Sequence, residues 1–262
     1  MFTPIDPVPL PFFSNVWVTM FTLGGYLLFV LKLGPKIMQN RKPFELRTVI
    51  KVYNIMQILY NGLIVVLGFN FLAILRAYDL RCIINLPFDH EHKDKERLIC
   101  SLYIVNKFVD LVETVFFVLR KKDRQISFLH VFHHFSMAFS GYLYYFFVGY
   151  GGIAFPQCYL NVIMHVIMYT YYYLSSISPE VQKSLWWKKY ITLTQLIQFA
   201  MIMTHCIYTL AQPNCNVPRL VTYGCALLAA SFTVMFSQFY FNNYIRSGKK
   251  TSKRSGSKDH KN

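Results

Sequence analysis

Seven stretches dominate this chain, at about 12–31, 52–75, 98–119, 126–148, 153–174, 190–211 and 220–244. Each approaches the roughly 20 mostly apolar residues that a helix needs to cross a bilayer. Inside hydrocarbon the backbone must satisfy its own hydrogen bonds, which stretches of this length do as helices. The expected fold class is therefore an all-α polytopic membrane protein with seven transmembrane helices. Charge supports this, because only 15% of residues are charged against about 25% in a soluble domain. Disorder, collagen-like repeats and a disulfide-dense module are excluded, the last because there are only 6 cysteines in 262 residues. Met1 to Pro11 carries no Lys or Arg, so the first stretch reads as a span and not as a cleaved signal peptide.

The net charge of +15 would suggest nucleic acid in a soluble protein. In a polytopic one it points to loops facing the cytosol, and no nucleic-acid partner is expected. Lys32, Lys36, Arg41, Lys42, Arg47 and Lys51 fall in the first loop, Arg120, Lys121, Lys122 and Arg124 in the third, and Lys183, Lys188 and Lys189 in the fifth. The tail adds seven more. The opposite side carries six, and the five in the second loop are matched by Asp79, Asp89, Glu91, Asp94 and Glu96. The bias places the C-terminus in the cytosol and the N-terminus outside or in a lumen. A single membrane domain is expected over 1–245, followed by a basic Ser/Gly/Lys tail, 246–262, that reads as disordered.

Against this background the exceptions are few. Lys107 is the one basic residue within a span, and Asp110 and Glu113 are the only acids. Spacings of three put them on one helical face. Charge in a bilayer costs at least about 2.5–3.5 kcal/mol per residue, so such a cluster is a functional-site hypothesis by default. A purely structural Lys107–Asp110 pair remains the alternative. His130, His133 and His134 form an HxxHH run in the fourth span, His165 follows in the fifth and His205 in the sixth. His205 alone reads as a satisfied core residue, and His90, His92 and His260 as solvated. At 1.5 Å per residue, Glu113 lies about 9 Å and Lys107 about 18 Å from the cytosolic end of their span. His130–His134, His165, Gln195 and Gln198 fall at roughly 6–14 Å by the same arithmetic. Polar groups from four helices thus share one slab. Tyr169 and Tyr172 either line a cavity with His165 or belong to an interfacial aromatic belt; spacing leaves both open.

A di-iron centre built on HxxHH would need more histidines than the five within spans, and HxxHH without a fourth ligand is no specific zinc signature. The metal-free reading uses His as nucleophile or base, Lys107 as an electrostatic clamp and the carboxylates as orienters. Basic loops beside such a site suit an anionic substrate with an apolar tail, of which an acyl-CoA is one.

These residues carry a resemblance. From Gly34 to about Tyr244 the chain resembles the fatty-acid elongase (ELO) family of the endoplasmic reticulum, animal type. The matching pieces are Gly34 to Phe44, Lys107 to Lys122, Phe128-Leu-His-Val-Phe-His-His134, Asn161 to Tyr173, Leu185 to Tyr190 and Thr194 to Gln198. The resemblance implies a very-long-chain 3-oxoacyl-CoA synthase. Such an enzyme condenses malonyl-CoA with a long-chain acyl-CoA, releasing carbon dioxide and CoA. It implies six helices ringing a narrow acyl tunnel, with the first helix peripheral. It implies no metal and no cofactor. Implied partners are the two CoA thioesters, a possible second copy of the chain, and other elongation-cycle enzymes.

Carried over, His134 is the nucleophile, His133 and His165 assist decarboxylation and oxyanion stabilisation, and His130, Lys107, Asp110 and Glu113 complete the candidate catalytic set. Tyr169, Tyr172, Gln195, Gln198, Arg120, Lys121, Lys122, Lys188 and Lys189 are the candidate substrate-binding residues. One departure stands out. The family runs Lys-x-x-Glu-x-x-Asp-Thr, whereas here Asp110 and Glu113 are exchanged ahead of Thr114. Similar animal elongases place cysteines in the loops of Cys82 and Cys215, so a disulfide between them is expected; the other cysteines read as packing residues. The C-terminal Lys-Asp-His260-Lys-Asn is an imperfect dilysine signal, which leaves residence in the endoplasmic reticulum resting on the resemblance. A seven-helix receptor and a small carrier share the topology. The polar slab near the cytosol and the apolar lumenal halves argue against both.

Overall fold

The computed structural model describes residues 3–246. Nearly all of the basic tail, 247–262, and His260 with it, lies outside the described residues. The described chain is all-helical, with no strand among its residues. Helix α1 (Val16–Leu28) begins where the Asn15 side chain accepts the Trp17 N–H, an N-cap that satisfies an orphan donor. It widens through a π turn, Phe29–Leu33, into α2 (Gly34–Met38). Then follow α3 (Arg47–Phe69), α4 (Lys93–Leu119), α5 (Phe128–Val148), α6 (Ala154–Ile177), the short α7 (Pro179–Lys183), α8 (Leu185–Ala211) and α9 (Arg219–Tyr240).

Four helical segments are long and apolar enough to cross a membrane: Val16–Met38, Arg47–Ile74, Leu185–Ala211 and Arg219–Arg246. The chain is a multi-pass membrane protein. The long helices α4, α5 and α6 fall outside that set, and they carry Lys107, Asp110, Glu113, the HxxHH run and His165. Their polarity comes from the side chains that the fold turns inward.

Helix α3 packs along α6, α4 along α5, and α8 along α9. Phe71, Tyr78 and Phe155 form a buried aromatic cluster at one end of the bundle, with ring centroids 5.1–5.3 Å apart. That end is the more heavily tied. Cys82 and Cys215 are joined there by a disulfide, Cα atoms 5.5 Å apart. The N-terminal segment crosses it, where Leu10 N–H donates to the Tyr145 hydroxyl and Ile5 N–H to the Phe146 carbonyl.

The structure corrects the expectation that this end is apolar. Lys93 and Glu96 are buried at the start of α4, where the Lys93 ammonium donates to Glu96 at 2.6 Å. Asp6 accepts from Arg97 at 3.1 Å, and its other oxygen lies 3.8 Å from Lys93. Glu96 also accepts from the Tyr78 hydroxyl and from Leu86 N–H. Burial, and then the adjacent Glu96 charge, push the Tyr78 phenol well above its ordinary pKa, so it remains a donor. Two acids and two bases thus neutralise one another inside the protein. The charge count of the second loop included Lys93, Glu96 and Arg97 but not Asp6, because a loop's charge balance does not reveal that the N-terminal segment folds over it. Gly151 sits against this cluster with φ +90°, and any Cβ there would strike Glu96 and Tyr78.

Candidate functional site

At the centre of the bundle Asp110, on α4, is a hydrogen-bond hub. Its Oδ2 accepts from the Lys107 ammonium at 2.9 Å, and the His165 Nδ1 of α6 is 3.4 Å away. Its Oδ1 accepts from Gln57 of α3 at 2.9 Å and from the Tyr169 hydroxyl of α6 at 3.0 Å. Lys107 also donates to Asn161 at 2.9 Å, lies 3.3 Å from both His165 ring nitrogens, and faces the Tyr103 ring at 5.0 Å. Lys107, Asp110, Gln57, His165 and Tyr169 are all buried. A buried ion pair survives only where its remaining donors and acceptors are satisfied, and here neutral groups on two neighbouring helices do that.

One turn away lies a second group. Glu113 of α4 brings Oε2 to 3.7 Å from the His134 Nε2 of α5. The His130 and His134 rings, at i and i+4 on α5, have centroids 4.2 Å apart. His130 Nε2 shares a 2.9 Å hydrogen bond with Thr114, whose hydroxyl is 3.0 Å from that of Tyr26 on α1. The first long helix therefore reaches the site through a single tyrosine. His133 turns away from Glu113 and packs its ring 4.8 Å from that of Phe232 on α9. Helix α5 starts just before this run because Ser127 caps it, accepting the His130 N–H at 3.2 Å. The carboxylate Glu113 and the imidazoles His130 and His134 also form a potential metal-binding triad, their ligand atoms all within 4.8 Å.

Two cavities flank the two groups. One, of about 590 Å³, is polar and lies at the end of the bundle where α4 runs into Arg120 and Lys122. Arg47, Lys51, Tyr53, Asn54, Arg120, Lys122, Tyr172 and Ser175 line it, and Glu113 forms part of its wall. The other, of about 510 Å³, is apolar and runs between α5, α6, α8 and α9. Asn161, Gln198 and Phe232 line it on the side nearest the charged cluster, and Val148, Ala154 and Val221 lie at the opposite end.

The sequence-derived candidates distribute unevenly over this geometry. Lys107, Asp110, Glu113, His130, His134, His165 and Tyr169 come together. His133 adjoins them from the α9 side. Tyr172, Arg120 and Lys122 line the polar cavity, and Gln198 lines the apolar one. Gln195 donates to the Met168 sulfur at 3.0 Å and is not among the residues lining either cavity. Lys121 donates to the Gln39 carbonyl at 3.0 Å, away from the cavity, because a positive φ of 53° turns the chain at that residue. Lys188 and Lys189 open α8 and line neither cavity. His205 is not a satisfied core residue, since its Nδ1 is buried without a partner among the described residues.

Sequence reasoning missed Gln57 and Asn161 beside the charges, and Arg47 and Lys51 at the polar cavity. A signal for the first existed: Tyr53, Gln57 and Asn61 repeat at four-residue spacing in an apolar span and so share one face.

A buried ion pair beside an array of histidines inside a helical membrane protein has the make-up of a candidate catalytic centre. The chain belongs to the very-long-chain fatty acid elongase family: the ELO (GNS1/SUR4 family) profile matches residues 11–252. It is 72% identical over 253 residues to very long chain fatty acid elongase F of Drosophila melanogaster, covering 97% of this chain and 98% of that one. Identity to the protein of the same name from Drosophila simulans is 70% over 257 residues, again with 97% and 98% coverage. Human very long chain fatty acid elongase 4 is 38% identical over 238 residues, 89% of this chain and 73% of its own.

Proposed function

We propose that this protein condenses malonyl-CoA with a long-chain acyl-CoA to give a 3-oxoacyl-CoA two carbons longer, with carbon dioxide and CoA. The observation that carries the proposal is that Glu113, which faces His134, lines the basic polar cavity, while Asn161, which accepts from Lys107, lines the apolar one. A CoA head suits the first, where Arg47, Lys51, Arg120 and Lys122 offer positive charge to phosphates. An acyl chain suits the second. The thioester then lies near the histidines.

In the first half-reaction the neutral His134 imidazole attacks the thioester carbon. The CoA thiolate leaves and takes up the proton that the ring loses, giving an acyl-imidazole. Histidine serves because the neutral ring attacks and the acylated ring leaves readily. Glu113, beside His134, orients the ring and holds its charge as the bond forms. In the second half-reaction malonyl-CoA loses carbon dioxide, and the resulting enolate carbon attacks the acyl group. The C–N bond breaks, the departing ring nitrogen takes up one proton from solvent, and neutral His134 is regenerated. Lys107, fixed by Asp110 and Asn161, supplies positive charge to the oxyanions. His165 and His133 flank the same space.

The proposal includes seven membrane spans, with α4, α5 and α6 joining the four apolar segments, and six helices around the acyl path. It also includes a cytosolic C-terminus, a basic tail outside the membrane domain, and residence in the endoplasmic reticulum. The test is expression in cells with little elongation of their own, fed a series of saturated and unsaturated fatty acids, with His134→Ala alongside. Products longer by two carbons, absent in the variant, are expected. Products of unchanged amount in the variant, or none from the wild-type protein at good expression, would refute it.

A further inference from the structure

Gln57 touches neither cavity, yet it is 2% exposed and both ends of its amide are hydrogen-bonded. Its Nε2 donates to Asp110 Oδ1 at 2.9 Å and to the Tyr53 hydroxyl at 3.1 Å. Its Oε1 accepts from Asn61 at 3.0 Å, and Asn61 in turn accepts from Asn106 of α4 at 3.1 Å. The chain of amides therefore leaves α4 at Asn106, passes along α3 and returns to α4 at Asp110, one turn on. Such a closed loop fixes which end of the Gln57 amide faces the carboxylate. A buried amide with three side-chain hydrogen bonds is an expensive choice for an apolar span unless its orientation matters.

We infer that Gln57 is a positioning residue for the condensation: by occupying Asp110 Oδ1 with an uncharged donor, it holds Oδ2 toward Lys107 and His165. This rests on the reading of that cluster given above. The geometry suits the exchanged acids. Asp110 is one methylene shorter than the Glu of the resembled pattern, and the Gln57 amide fills the space on its α3 side. Without that amide, Oδ1 keeps only Tyr169 as donor, and the carboxylate is free to rotate away from Lys107. Loss of a hydrogen bond to a charged group corresponds to roughly tenfold or more.

The experiment uses the full chain purified in detergent, with thermal stability, kcat, KM for each CoA substrate and a pH profile for each variant. Gln57→Leu keeps volume and removes the donor. It is expected to lower kcat about tenfold with both KM values within about twofold. Adding Asp110→Glu to it is expected to recover part of the loss, because the longer carboxylate reaches Lys107 without the amide. Gln57→Glu keeps the shape and places a second carboxyl against Asp110. Two carboxylates so close resist ionising together, so activity is expected to persist at low pH and to fall as pH rises, earlier than in the wild type. Wild-type kcat in Gln57→Leu, a loss confined to KM, or a Gln57→Glu profile superimposable on the wild type would each overturn the inference. So would failure of both variants to fold, which would make the role one of stability. Full activity in Asp110→Asn would instead overturn the reading of the cluster itself.

Discussion

His134 and Glu113 face each other across the α4–α5 contact, Nε2 to Oε2 at 3.7 Å. That gap is longer than a hydrogen bond and short enough to close by a small side-chain rotation when a substrate enters. The relationship depends on Glu rather than Asp at 113, since a carboxylate one methylene shorter would draw back toward the α4 backbone. Glu113→Asp is therefore expected to lower kcat by about tenfold or more, the scale of a charge-assisted hydrogen bond, with little change in the KM of either substrate. Asp110→Glu combined with Glu113→Asp restores the resembled order of acids. It is expected to remain impaired while Gln57 still occupies the space beside position 110. A double variant as active as the wild type would show that the two positions tolerate either acid.

The polar cavity supports a prediction about affinity. Lys51→Glu and Arg120→Glu reverse charges that line it. Each is expected to raise KM for acyl-CoA and malonyl-CoA together, with a weaker dependence on ionic strength than the wild type shows. Lys188→Ala and Lys189→Ala change basic residues that line neither cavity and are expected to leave KM within about twofold. Steady-state kinetics at two salt concentrations checks both. Equal effects in the two sets would mean that CoA is held along α8 instead.

How much of this was legible in the sequence differs by element. Apolar length marked every long helix, and the rarity of charge within spans singled out Lys107, Asp110 and Glu113, because in a bilayer each such residue needs a reason. The HxxHH run was visible for the same reason. Gln57 and Asn161 carry no charge and so did not stand out at that cost, although the four-residue repeat of Tyr53, Gln57 and Asn61 marks a shared face. The cluster of Asp6, Tyr78, Lys93, Glu96 and Arg97 was hidden differently. Its members lie far apart in the chain, and only the fold brings the N-terminal segment over α4. Lys188 and Lys189 line neither cavity, because loop charge reports the side of the membrane and not which loop residues turn toward a cavity.

The apolar cavity makes a prediction about products. Cys225 lines it from α9. Replacing the thiol with a ring, Cys225→Phe, fills part of a volume of about 510 Å³. Analysis of the lipids formed is expected to show a lower ceiling on chain length, with turnover of shorter acyl-CoA retained. An unchanged ceiling with lower overall activity would place the acyl chain elsewhere.

The last prediction concerns the tied end of the bundle, where no residue is assigned to chemistry. Glu96 is fully buried and accepts from Lys93, Tyr78 and Leu86 N–H. Glu96→Ala leaves the Lys93 ammonium buried with only Asp6, at 3.8 Å, to balance it. It also removes the acceptor from two further donors. Breaking one side of a buried pair costs about 3–5 kcal/mol, a large share of the roughly 5–15 kcal/mol that holds a typical domain folded. Gly151→Ala drives a methyl group into the same cluster from the loop that precedes α6, at a φ that disfavours side chains. Both variants are expected to lose thermal stability in detergent, and Glu96→Ala to do so even with the Cys82–Cys215 disulfide intact. Protein that survives extraction is expected to keep its KM values, because the cluster is separated from the polar cavity by most of the length of α4. A stable Glu96→Ala protein would mean that Asp6 and Arg97 alone hold the N-terminal segment in place. A stable protein with altered product length would move this cluster from the scaffold to the end wall of the acyl cavity.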